Sequence, residues 1–143
     1  MITEDFCSFE VSKLLQEKGF DGKCCYYYRC NDKAFLKYFA NPGTLEDRFF
    51  CTNKWLKKHS NRNHCEYILA PTHYMAMKWL REEKHIEIHI AMSALNADGS
   101  REYMYDIFFT NERYSGKSIT KAGFKTFEEA VEAALKYCLT EIL

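Results

Sequence analysis

Proline and glycine are scarce, with two prolines and six glycines in 143 residues. So few chain breakers exclude a disordered or low-complexity polypeptide, and they leave little provision for the close backbone approach that a phosphate-cradling loop needs. Net charge is missing too: 20 Lys and Arg are balanced by 20 Asp and Glu. The chain as a whole therefore lacks the basic field common among nucleic-acid binders. No apolar run approaches the ~18 residues of a membrane span, because even the richest segments alternate with charge. The first residues, MITEDFCSFEVSKLL, carry acids where a secretory signal carries positive charge. A cytoplasmic protein with no membrane contact is the expectation. Catalytic signatures are also lacking: there is no G-x-S-x-G elbow and no H-E-x-x-H pair. No catalytic residue and no cofactor are assigned, and a protein that is not an enzyme is expected.

Aromatic residues, by contrast, are plentiful: eleven Phe, ten Tyr and two Trp make 16% of the chain. Large rings give the most burial per residue, so most of them belong to a core. At this length a fold buries roughly 68–70% of the surface its unfolded chain exposes, which needs no metal or disulfide staple. Seven cysteines form an odd set without regular spacing, unlike the even frameworks of small secreted scaffolds, and they read as thiols. Cys51, His59, His64 and Cys65 are all zinc-ligand types, but the adjacent pair His64 and Cys65 diverges from any one ion, so no metal is expected.

Periodicity outlines the elements. Residues 8–19, SFEVSKLLQEKG, predict a short helix capped by Ser8 and closed by Gly19, with Val11, Leu14 and Leu15 on its apolar stripe. The aromatic run from Cys24 to Cys30 suits a strand. Residues 31–66 hold aromatic pairs without a sustained period and predict one or two short strands and a loop near residues 57–64. Pro71 and Thr72 open a helix through about Lys84, with Met75, Ala76, Trp79 and Leu80 on one face. Ile86, Ile88, Ile90 and Met92 then alternate with polar or small residues, and Tyr103, Tyr105, Ile107 and Phe109 do the same beyond the turn residues Asn96 to Gly99. Two strands of an antiparallel hairpin follow from that pattern. Thr126 and Glu129 make a capping box before a helix of about 14 residues, striped by Phe127, Ala130, Val131, Ala134, Leu135 and Cys138. No repeat and no linker interrupts the order, so a single α+β domain over residues 1–143 is expected. It would have two layers, with a mainly antiparallel sheet and about three helices. Trp79, Leu80, Ile88, Ile107, Val131 and Leu135 should share its core.

The stretches FEVSKLLQEKGFDGKCCYYY, APTHYMAMKWLREEKHIEIHI and GFKTFEEAVEAALKYCLTEIL resemble a group of small proteins encoded by gut bacterial genomes, phages and integrated mobile elements. The resemblance implies an accessory role for the chain and carries over no activity and no site residue.

Charge placement says more than total charge. Residues 23–64 carry nine Lys or Arg against three acids, a net of +6, together with nine of the 23 aromatic residues. Cations interleaved with rings suit a surface for single-stranded nucleic acid, where the cations meet phosphates and the rings stack on bases. The same rings and cations also suit a protein interface with an acidic partner. The candidate binding residues are Tyr26, Tyr28, Arg29, Tyr38, Lys54, Trp55, Lys57 and Lys58. In strands, however, alternate aromatics can fill a core and leave the cations solvated, with no ligand at all. The leading expectation is a non-enzymatic interaction protein with a protein partner. A single-stranded nucleic-acid-binding accessory protein is the alternative, and an enzyme with an unrecognised site comes third.

Overall fold

The computed structural model describes residues 5–30, 34–38, 56–58, 66–111 and 117–143. The fold is α+β, and among the described residues the strands form two three-stranded sheets, each antiparallel throughout. The chain divides into two compact units, residues 1–75 and 76–143, taken here in turn.

In the first unit, helix α1 spans Phe9–Glu17. The Ser8 hydroxyl accepts from the Val11 amide at 3.2 Å, supplying one of the partners that a helix start lacks. At the other end Phe20 N–H donates to the Leu15 carbonyl (2.9 Å) and Gly19 N–H to that of Gln16 (3.1 Å). This pair of bonds is a Schellman closure, and the φ of +93° at Gly19 is the conformation it requires. Strands β1 (Tyr26–Cys30), β2 (Ala34–Tyr38) and β3 (Glu66–Leu69) form a sheet in the order β2-β1-β3. The register sets Tyr28 opposite Ile68 on one face and Arg29 opposite Tyr67 on the other. Tyr28 stands edge-on to Phe9 of α1, with ring centroids 5.6 Å apart, and donates its hydroxyl to the Cys7 carbonyl at 2.7 Å. Tyr67, Ile68, Leu69 and Ala70 are all buried, so β3 is covered on both faces, as its unbroken apolar run requires. Where a loop is expected near residues 57–64, residues 56–58 form a helical turn at its start, and residues 59–65 lie outside the described residues. Buried Leu56 anchors it while Lys57 and Lys58 stay in solvent. Cys51, His59, His64 and Cys65 lie outside the described residues.

Helix α2, His73–Lys84, begins in the first unit and carries Ala76 and Leu80, both fully buried, into the second. Thr72 caps it by accepting from the Met75 amide at 3.2 Å. His85, at φ +58°, turns the chain into β4 (Ile86–Leu95). That strand pairs with β5 (Arg101–Phe109), which pairs in turn with β6 (Ser118–Phe124). Helix α3, Phe127–Tyr137, packs on this sheet through Ala130, Val131, Ala134 and Leu135, all at zero exposure, and continues as a π-helical turn over Cys138–Ile142. Half of the expected capping box is present: Glu129 N–H donates to the Thr126 hydroxyl (3.1 Å), while the Glu129 carboxylate accepts from the amide one residue earlier, Lys125 N–H (3.2 Å).

The expected hairpin is paired as read, with Ile88 opposite Ile107. Of the six residues expected in the core only Trp79 departs, and two residues of the apolar stripes, Phe127 and Met92, come out exposed. Trp79 is half-buried, with the Lys84 ammonium 5.3 Å from the centroid of its ring. Phe127 is 44% exposed and Met92 is 52% exposed. Length accounts for Met92: an eleven-residue helix is about 16 Å long and a ten-residue strand about 34 Å, so α3 covers only part of β4. Strand β6 was not expected at all, since SITKAGF has no apolar alternation and five of its seven residues are exposed. Its register to β5 slips where Tyr103 pairs with Phe124 and Met104 with Ala122, leaving Gly123 as a bulge at φ +93°. The extra residue turns Phe124 onto the same face as Tyr105, where the two rings stack at 5.7 Å and 27°.

Candidate functional site

Three backbone contacts assemble a cleft in the first unit. Phe6 forms an isolated antiparallel bridge with Thr72, Cys7 N–H donates to the Pro71 carbonyl (2.9 Å), and Ala70 N–H donates to that of Tyr26 (3.0 Å). These bonds draw the segment before α1, the start of β1 and the first turn of α2 around a cavity of 260 Å³. Its walls are mainly apolar. Phe6 and Tyr26 lie with ring centroids 4.5 Å apart and planes tilted by 55°, and Ala70 and Met75 complete that side. Tyr74 is 65% exposed and forms part of the rim. It stands on α2 but off the buried positions Ala76 and Leu80, so its ring covers no core of its own helix.

Polar groups in the cleft are few. Among the described residues Lys23 is the only charged side chain in the lining, and it is exposed. The first turn of α2 contains no acid of its own, and its amides are met by the Asp5 carbonyl, which accepts from His73 N–H (3.0 Å), and by the Thr72 hydroxyl. Cys25 contributes a half-exposed thiol, whereas Cys7, Cys24 and Cys138 are buried. Burial pushes the Cys138 thiol up to about 12. Within either unit taken alone, no three metal-ligating side chains converge among the described residues.

The second unit has a larger opening of 490 Å³ beside the hairpin turn, with Arg101, Tyr103, Lys125 and Phe127 in its lining. It is broad and polar. The amides of Glu129 and Lys125 are already engaged, by the Thr126 hydroxyl and the Glu129 carboxylate. The apolar, aromatic cleft of the first unit is the better-formed concavity.

Of the residues singled out from sequence, only Tyr26 lines that cleft. Tyr28 is on the same strand face but turns to Phe9 and Cys7. Arg29 is exposed on the opposite face of β1. Tyr38 sits across from Tyr26 in the β1–β2 register. Lys57 and Lys58 are exposed on their helical turn, and Lys54 and Trp55 lie outside the described residues. Sequence reasoning missed Phe6, Tyr74 and Met75 as a set, since Phe6 lies 68 or more positions from the other two and meets them through long-range backbone contacts such as the Phe6–Thr72 bridge. One local signal did exist. Tyr74 is a large aromatic off the apolar face of its helix, a position that buries nothing and leaves the ring available to a partner.

No helix among the described residues is long and apolar enough to cross a membrane. Compared with known proteins, the chain matches no family model, no curated protein and no solved structure.

Proposed function

We propose that the chain is a non-enzymatic interaction module, an accessory protein of a phage or mobile element as the sequence resemblance suggests. It holds an apolar side chain of a protein partner in the cleft of its first unit. The observation that carries this reading is the 260 Å³ aromatic cavity with Tyr74 standing 65% exposed beside it. A ring in that position adds little to stability, yet aromatic residues around a concave apolar pocket are the groups that dominate interface energetics. The volume lies just below the ~300–1,000 Å³ of pockets that hold drug-sized ligands, which fits a single large side chain.

A display selection of random peptides on the purified chain tests the reading. Enriched peptides should share a large apolar residue, should shift the resonances of Tyr26, Tyr74 and Met75, and should lose binding to Tyr74→Glu. If wild type and Tyr74→Glu enriched the same peptides, the cleft would not be the binding site. A second reading, binding of single-stranded nucleic acid, is supported by the exposure of Arg29, Lys57 and Lys58. Affinity for an oligonucleotide would then fall with salt at a log–log slope of roughly −0.7 per phosphate contacted. A slope near zero, or no binding at low salt, would remove that reading.

A further inference from the structure

Resting on the interaction reading, we propose that the cleft captures the C-terminal residue of a polypeptide partner, taking its apolar side chain among the rings and its carboxylate at Lys23. The cavity offers Phe6, Tyr26 and Met75 to an apolar group and one cation to whatever that group carries. Among the described residues of the lining Lys23 is the one charged side chain, so a carboxylate placed in the cleft meets a cation and no acid of the lining. A cavity of 260 Å³ fits one side chain. A chain end is the polypeptide feature that places a single negative charge two bonds from the carbon bearing an apolar side chain. An internal apolar residue brings no charge of its own for Lys23 to meet. The Thr72 hydroxyl, which accepts from the Met75 amide, still has its proton to donate within the same lining.

The test uses N-acetyl-glycyl-glycyl-phenylalanine and its C-terminal amide, titrated into the full chain and followed by NMR shifts of the cleft residues. The acid should bind about three- to fivefold more tightly than the amide, the size of a solvent-exposed ion pair. Lys23→Gln should remove that difference by weakening the acid alone, while Tyr74→Ala should weaken both peptides. Lys23 is exposed, so its replacement does not disturb folding. Equal binding of acid and amide, or an unaltered preference in Lys23→Gln, would overturn the chain-end proposal and leave the interaction module standing. So would a display selection that enriched only internal apolar segments. An oligonucleotide that displaced the acid from Lys23 would overturn both the proposal and its protein partner. Free phenylpropionate binding as tightly as the acylated tripeptide would overturn a polypeptide source in favour of a small aromatic acid.

Discussion

Gly123 concentrates the second unit's most sequence-dependent geometry in one position. Its φ of +93° is left-handed, and a Cβ added there would meet no atom within 4 Å. Substitution by Ala therefore costs backbone strain without a clash. Holding an L-residue in that region costs about 1–2 kcal/mol. Against this, the lost freedom of the unfolded chain returns roughly 0.4–1 kcal/mol. A net loss of about 1 kcal/mol is expected, read as a lower urea midpoint at unchanged m-value. Because strain is the cause, Gly123→Asn should cost less than Gly123→Ala, and Gly123→Val should cost more. Gly19, also at +93° with open space around it, should respond alike. Gly22 should not: there a Cβ would come within 2.8 Å of the Phe20 ring, so its cost is steric and should not be relieved by Asn. Deleting Gly123 tests the bulge itself. It removes the extra residue, so Phe124 follows Ala122 in regular register opposite Tyr103, stays on the Tyr105 face and keeps nuclear Overhauser contacts between its ring and that of Tyr105. Ala as stable as Gly at position 123, or a deletion variant that lost the Tyr105–Phe124 contact, would refute the assignment of the bulge.

Leu135→Ala, at a fully buried position of α3, should cost about 2–5 kcal/mol. Phe127→Ala, at 44% exposure, should cost clearly less despite the larger side chain, as chemical denaturation would report. In native protein a maleimide should modify Cys25 before Cys7, Cys24 or Cys138, with peptide mapping by mass spectrometry as the readout. Because the folded value of Cys138 is raised to about 12, its contribution to stability is present below the ordinary thiol range, near ~8.5, and lost as pH rises through the folded value; Cys138→Ala should flatten that alkaline decline. At the β4–β5 turn, the Ser100 hydroxyl and amide donate to Asp98 and hold its carboxyl below the usual carboxylate range, so the turn contacts persist above that range and fade as pH falls through the lowered value. Ser100→Ala should raise the Asp98 midpoint seen in a carbon-detected NMR titration.

Local chemistry was enough to read most elements from sequence. The cap at Ser8, the left-handed Gly19, the cap of Thr126 on Glu129, and the pairing of the Ile86 and Tyr105 alternations all depend on residues a few positions apart or on a period of two. Such features are set by hydrogen-bond geometry and side-chain direction, which a sequence displays directly. Tertiary structure decided the rest. β6 is held by pairing to β5 and has no apolar alternation of its own, and the exposure of Met92 follows from the finite length of α3. The cleft depends on contacts between residues 6 and 72 and between residues 26 and 70, made where separate elements converge. Composition marked Tyr26 as an aromatic beside cations. Only the meeting of the pre-α1 segment, β1 and α2 gave that ring a cavity to line, because burial and concavity depend on which surfaces are brought together in space.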